Sequence, residues 1–290
     1  MPQLALLLTT FVWGATFTAT KLALNEVPPF LFLLLRFFLG TVLTVLFVVA
    51  MRKPMHWDRR TLRMSLIATV FLLLGYGLQT VGLKYTTATN SAFITALYVI
   101  LVPLFLLRFQ MRTWVAAGLA VAGLWLLVNP TVSANLGDLL TLGCAAAFAG
   151  HICVLESYTR KSDPVSFFVW QLLFVTLAFV PLTAAESSGP IHLSATPTLL
   201  MALVVTGVLA TGAFAVQIWA QQLLPAQQVA LIYSFEPAFA AWLAWYMLDE
   251  RLTASGWLGS GLVLIALVAG SVTRRPKRVV SAPAGTIGSS

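Results

Sequence analysis

Ten apolar stretches, each long enough to cross a bilayer, occupy nearly the whole of this 290-residue chain, near 4–23, 30–51, 62–85, 89–108, 112–129, 138–158, 165–185, 197–222, 227–248 and 253–273. A spanning helix needs about 20 consecutive, mostly apolar residues. Inside hydrocarbon every backbone N–H and C=O must be satisfied within the protein, which leaves helices and closed barrels. Non-alternating stretches of this length exclude the roughly ten-residue alternating strands of a barrel. The reading is an all-α membrane protein of ten transmembrane helices. Composition agrees, with 59% hydrophobic and 9% charged residues and a mean hydropathy of +0.92. The first stretch is expected to belong to the mature protein, because it starts at Leu4, runs too long for a signal peptide and has no basic segment before it.

The net charge of +8 is explained by membrane topology rather than by nucleic acid. With a cytoplasmic N-terminus, Arg52, Lys53, Arg59, Arg60, Arg63, Arg108, Arg112, Arg160 and Lys161 fall in inward loops, and Arg274, Arg275, Lys277 and Arg278 in an inward tail. Only Lys21, Lys84 and Arg251 face outward, and Arg36 lies within a span. The positive-inside rule then places both termini in the cytoplasm of a cell with an inner membrane. Inward basic loops also suit anionic lipid headgroups. Residues 274–290 turn basic and then rich in Ser, Gly, Ala and Pro, and read as a disordered tail. Cys144 and Cys153 lie on one predicted helix, roughly 13 Å apart at 1.5 Å per residue, too far to pair. No Cys/His spacing resembles a metal site, and no cofactor is expected.

The second half reads as a divergent copy of the first. An offset of 135 pairs Pro29 with Pro164, Trp13 with Phe148, Thr16 with His151, and Arg36 with Gln171; an offset of 138 pairs Tyr76 with Phe214, Gln79 with Gln217, Ala92 with Ala230, and Tyr98 with Glu236. This divides the chain into residues 1–129, 130–273 and the tail. Five spans per copy is odd, so the second copy enters the membrane in the opposite direction. Inverted repeats of this kind let secondary transporters expose one midplane site to two sides in turn.

The residues that carry the repeat also resemble the EamA-type carriers of the drug/metabolite transporter superfamily. The resemblance rests on Phe-Val-Trp-Gly-Ala-Thr-Phe at 11–17, Gly-Leu-Lys-Tyr-Thr-Thr-Ala at 82–88, Gly137-Asp138, Phe-Glu-Pro-Ala-Phe at 235–239 and Asp-Glu-Arg-Leu-Thr at 249–253. It implies ten helices, two inverted five-helix repeats around a central cavity, and export of metabolites or amino acids; the chain looks most like the YddG type, an exporter of aromatic amino acids. Two departures stand out. The first half has Arg-Phe-Gln-Met-Arg at 108–112 where the family pattern expects Gly-Glu-Arg-Leu, and His151 occupies a position more often aromatic.

Helical spacing puts Thr9, Trp13, Thr16 and Thr20 on one stripe of the first span, and Cys144, Phe148, His151 and Leu155 at the matching places of the sixth. Ser91, Thr95, Tyr98 and Val102 stripe the fourth, and Val229, Tyr233, Glu236 and Ala240 the ninth. The third and eighth contribute Tyr76 with Gln79 and Phe214 with Gln217. The cavity candidates are therefore Trp13, Thr16, Tyr76, Gln79, Thr95, Tyr98, Phe148, His151, Phe214, Gln217, Tyr233 and Glu236. Aromatic rings with a few amide and hydroxyl groups suit a ligand that has an apolar body and polar handles, while ordinary helix packing accounts for any one ring alone. Glu236 is the single acid placed deep in a span. It is either the proton-coupling or substrate-ammonium group, or a protonated acid bonded to a neighbouring helix. Pro103 and Pro237 are the expected kinks. For Arg36 the expectation is snorkelling to the outer headgroups, with a clamp on a substrate carboxylate as the alternative. His151 is expected neutral, on a backbone carbonyl. Trp57, Trp114 and Trp257 read as interfacial anchors. Small residues four apart, Ala116 with Ala120 and Gly256 with Ser260, mark the fifth and tenth spans as scaffold or as a homo-oligomer contact.

These readings converge on a secondary transporter exporting small metabolites, with aromatic and other apolar amino acids as leading substrates and the lipid bilayer as its other partner. A multidrug or metabolite carrier of different substrate class is the alternative. No His-Glu-x-x-His, Gly-x-Ser-x-Gly or complete phosphate-binding glycine loop supports an enzyme, and no filter or ring of like charges supports a channel.

Overall fold

The computed structural model describes residues 2–106, 111–128, 135–159, 163–186, 194–224, 229, 232–233 and 235–271. Ala230, Arg108, Arg160, Lys161, the tail from Arg274 and the side chains of Arg112 and Trp114 lie outside the described residues. Helices form the whole of the regular structure among them: α1 (Pro2–Ala23), α2 (Pro29–Ala50), α3 (Arg59–Gly82), α4 (Ala88–Thr95), α5 (Tyr98–Phe105), α6 (Met111–Val128), α7 (Leu136–Thr159), α8 (Pro164–Glu186), α9 (Pro197–Leu203), a π-helical turn (Val204–Leu209), α10 (Ala210–Leu223), α11 (Glu236–Leu248) and α12 (Ala254–Ser271). Among the described residues seven segments, against the ten expected, are long and apolar enough to cross a membrane, counting α4–α5 and α9–α10 as one each. Shorter apolar helices cover Val115–Leu127 and Ala254–Ala269. The outer surface carries exposed Leu8, Leu46, Phe47, Val49, Trp242 and Trp245, an apolar area that calls for lipid rather than water. Trp57 and Trp257, read as anchors, are 76% and 69% exposed.

Three elements differ from the sequence expectation. The fourth span is interrupted at Ala96–Leu97, so α4 ends and α5 begins at Tyr98. Pro103 sits inside α5, one and a half turns past that interruption, and is not the break itself. Pro237 occupies the first turn of α11, where a missing N–H costs nothing because no intrahelical acceptor awaits it; it opens a helix instead of kinking one. The eighth span contains the π turn, whose backbone lies against α2: a methyl added at Gly207 would stand 3.1 Å from the Arg36 carbonyl oxygen.

Polar groups inside the bundle are handled locally or by helix ends. Thr10, Thr41, Thr69, Thr141, Thr176 and Thr206 return their hydroxyls to the carbonyl four residues back, which removes the cost of an unpaired donor in an apolar setting. Acids gather where N–H groups lack partners. Asp58 caps α3 by accepting from the Arg60 and Thr61 amides, both at 3.0 Å. The Thr61 hydroxyl and those amides hold its carboxyl below the usual range, so this cap persists through neutral pH and is lost only as the pH falls into the acid range. Glu250 accepts from Ala88 N at 2.8 Å and from Thr89 N and Oγ1 at 3.0 and 2.8 Å. Lys21 Nζ donates to the Leu83 and Thr86 carbonyls, both at 2.6 Å. A cation at the end of α3 and an anion at the start of α4 thus hold the intervening turn from two sides.

Packing pairs α1 with α10 and α11, α3 with α7 and α8, α2 with α8, and α6 with α12. The last pair is the tightest. A methyl at Gly259 would stand 2.5 Å from the Gly123 oxygen and 2.6 Å from Leu127 N, and one at Gly123 would stand 2.7 Å from the Gly259 oxygen and 2.9 Å from Val263 N. The contact is reciprocal: each glycine meets the other and the residue four places beyond it. Ala116, Ala120, Gly256 and Ser260 are buried, so these small-residue stripes serve contacts inside the chain. Gly259→Ala should therefore force the α6–α12 crossing apart and lower stability by about 1–3 kcal/mol, read as a fall in the thermal unfolding midpoint in detergent. Gly118→Ala and Gly261→Ala, which have open space at the new methyl, should leave the midpoint unchanged.

Candidate functional site

One cavity lies where the core clusters around α1, α5, α7 and α10 meet, with Trp13 and Phe148 packed against both. Its wall is Trp13, Thr16, Phe17, Tyr76, Gln79, Thr95, Tyr98, Phe148, His151, Ile152, Phe214, Gln217, Tyr233 and Glu236. All twelve positions derived from helical stripes and repeat offsets are in this wall. Phe17 and Ile152 are additional; each lies four residues after a stripe member, Trp13 and Phe148, and tracing one residue per turn passes over them.

The rings form a connected layer. Trp13 lies 5.1 Å from Phe214 and 4.9 Å from Tyr233 between centroids. Tyr76 lies edge-on to Phe148 at 5.1 Å and to Phe214 at 6.1 Å, and His151 meets Phe214 at 6.3 Å. Such tilted and edge-on pairs are favourable beyond their area burial. Gly14 brings the α1 backbone onto the first turn of α11, since a methyl there would stand 3.1 Å from the Glu236 oxygen. The space a water molecule can enter is only about 50 Å³, room for a few waters, whereas pockets that hold small molecules run to roughly 300 Å³ or more. The cavity is thus in a contracted state, and a ligand must move rings to enter.

The polar groups in the wall divide into paired and open. The Tyr98 hydroxyl donates to Glu236 Oε2 at 3.1 Å. Gln79 Nε2 donates to Thr95 Oγ1 at 3.2 Å, and Thr95 in turn meets Cys144 Sγ at 3.8 Å. His151 Nε2 is 2.6 Å from the Gln171 side-chain amide, a side-chain partner in place of the expected backbone carbonyl. Trp13 Nε1, Gln217 Oε1 and the Tyr233 hydroxyl are buried with no hydrogen-bond partner among the described residues. Buried polar atoms are almost always bonded, so these three are free to meet a bound molecule or water.

Arg36 departs most from expectation. It is 3% exposed, and its guanidinium carbon lies 4.5 Å from the Tyr76 ring centre and 5.2 Å from that of Phe37. It turns inward behind the cavity wall instead of reaching the headgroups, because the α2 face that carries it packs on α3 and the π turn. A cation at the centre of a spanning helix costs roughly 2.5–3.5 kcal/mol on insertion scales, and stacking over two rings offsets part of that. Among the described residues no group of His, Cys, Asp and Glu is suited to a metal ion.

Comparison with known proteins decides the class. The sequence matches the EamA-like transporter family over residues 1–129 and 135–271. The chain belongs to this family. An uncharacterized transporter of Archaeoglobus fulgidus is 32% identical over 272 residues, covering 92% of this chain and 84% of the relative. The uncharacterized transporter YoaV of Bacillus subtilis is 24% identical, covering 96% and 99%. A "Probable amino-acid metabolite efflux pump" of Escherichia coli is 27% identical, covering 90% and 91%. A solved crystal structure superposes with a TM-score of 0.66 at 15% identity, covering 93% of this chain and 98% of that one, which supports the fold alone. This EamA-family transporter is a multi-pass membrane protein.

The Tyr98–Glu236 bond can be weighed directly. Tyr98→Phe should cost about 1–3 kcal/mol by leaving the buried carboxyl without its donor. Tyr98→Phe with Glu236→Gln should cost less than the sum of the single changes, a coupling of about 0.5–3 kcal/mol measurable by thermal unfolding in detergent. Strict additivity would mean that the contact contributes nothing.

Proposed function

We propose that this transporter exports aromatic and other apolar amino acids across an inner membrane by alternating access, through two inverted repeats of five spans with both termini in the cytoplasm. The observation that carries the reading is that residues equivalent under the sequence repeat touch one another. Tyr98 bonds Glu236, and Tyr76 packs edge-on to Phe214, each 138 positions apart. The hydroxyl oxygens of Thr41 and Thr176, 135 apart, lie within 2.9 Å of each other. Two objects related by a two-fold rotation touch at equivalent points only where the axis runs between them. Three such contacts, two of them at the cavity, support an axis through the site, the arrangement in which rocking one repeat against the other opens either side in turn.

The substrate class follows from the wall: aromatic faces for an apolar body, Trp13 Nε1 and Gln217 Oε1 as open handles, and Glu236 as a partner for an ammonium group. The name of the Escherichia coli relative agrees with that class. Glu236 is also our candidate for proton coupling. Pro103 and Pro237, each close after a helix interruption, are the proposed hinge positions.

In proteoliposomes, phenylalanine, tryptophan and leucine should show saturable counterflow, whereas a pore gives none. Flux of hydrophobic drugs without amino-acid flux would replace this substrate class with the multidrug one. Glu236→Gln should weaken amino-acid counterflow, and the flux that remains at high substrate concentration should no longer respond to an imposed pH gradient. An unchanged response removes Glu236 from coupling.

A further inference from the structure

We infer that Arg36 is the residue that selects for a substrate carboxylate, with Glu236 meeting the ammonium group, so that the site reads both ends of a zwitterion. The inference rests on the amino-acid reading above and goes beyond it by assigning the anion-recognising group to a residue that does not line the contracted cavity.

Arg36 is 3% exposed, and among the described residues the one ion pair is Arg251–Asp249, at the surface and over 70% exposed on both partners. No carboxylate of the described protein therefore neutralises Arg36. A buried charge without a counter-ion is strongly unfavourable, and a ligand that brings an anion to it is bound in proportion. Only a ring separates the two: Tyr76, on which the guanidinium stacks at 4.5 Å, is part of the cavity wall. The water-accessible space is about 50 Å³, so no aromatic ligand enters unless wall rings turn aside. Displacement of Tyr76 brings a planar fork of donors, matched to two carboxylate oxygens, into the cavity.

The repeat makes the arrangement specific. The equivalent of Arg36 is Gln171, already engaged with His151 at 2.6 Å, and the equivalent of Glu236 is Tyr98. Each half contributes one charge, of opposite sign, at a position that is neutral in the other half. A two-fold scaffold has no polarity of its own here; these two substitutions give the cavity a positive and a negative end, as a ligand with a carboxylate and an ammonium requires.

The test uses the full-length transporter in proteoliposomes and three families of competitor against labelled substrate: the amino acid (phenylalanine, leucine), its amine (phenethylamine, isopentylamine) and its acid (3-phenylpropionate, 4-methylpentanoate). Arg36→Gln should raise KM for the amino acids about tenfold or more, abolish competition by the acids and leave competition by the amines unchanged. Arg36→Lys should recover part of the acid competition, because the charge remains without the fork. Glu236→Gln should give the mirror result, losing the amines. Equal weakening of all three families in Arg36→Gln, or a fall in kcat with KM unchanged, overturns the inference and makes Arg36 a structural stack on Tyr76. If aliphatic acids compete and aromatic ones do not, the aromatic part of the proposed function fails while the role of Arg36 stands. If amines or neutral compounds compete in the unaltered protein and no carboxylate does, the role of Arg36 fails and transport of another class remains.

Discussion

A carboxyl group in the middle of an apolar slab must be met by the protein itself, and the Tyr98 hydroxyl meets Glu236 at 3.1 Å. Much of the surrounding structure is arranged around that contact. Both residues begin a helix, α5 at Tyr98 and α11 at Glu236. Gly14 lets α1 approach the first turn of α11, and the rings of Trp13, Phe214 and Tyr233 close over the same space. The charged contacts at the membrane-facing ends, such as Lys21 and Glu250 on the turn between α3 and α4, fix where those helices start and stop.

Much of this could be read in the chain before any coordinates. Spans follow from hydropathy because lipid permits few alternatives, and the boundaries of α1, α2, α3, α7 and α8 lie within about three residues of expectation. The cavity residues were legible because the helical stripes and the repeat offsets point at the same spans, although stripe members such as Thr9, Thr20, Cys144, Leu155, Ser91, Val102, Val229 and Ala240 lie outside the wall. Where only one pattern was available the reading failed. The break at Ala96–Leu97 has neither proline nor glycine at it, and the π turn at 204–209 leaves no mark in hydropathy. Arg36 was misplaced because distance from a helix end says how far a cation could reach, while the face it occupies decides whether it does. Gln171 as the partner of His151 had a signal, its equivalence to Arg36, but the offset names counterparts and not contacts.

In the proposed repeat the two halves match in scaffold and differ in chemistry. Glycine meets glycine at the α6–α12 crossing and threonine meets threonine between α2 and α8, whereas the wall of the cavity sets Tyr98 against Glu236 and replaces Arg36 by Gln171 in the second half. Packing tolerates symmetry because backbones and small side chains fit one another equally from either side. Recognition of an asymmetric molecule does not.

Under the proposed inverted repeat, the contacts at its axis also bear on why both copies reside in one polypeptide. A pair of identical five-span chains arranged about the same axis would place each of these residues against itself. Threonine accepts that, since a hydroxyl both donates and accepts. Where Tyr98 meets Glu236 such a dimer would confront phenol with phenol or carboxyl with carboxyl, and two carboxylates about 3 Å apart repel until one is protonated. A donor can stand opposite an acceptor on a two-fold axis only when the two partners have different sequences, and joining the copies end to end is what allows Tyr98 to face Glu236.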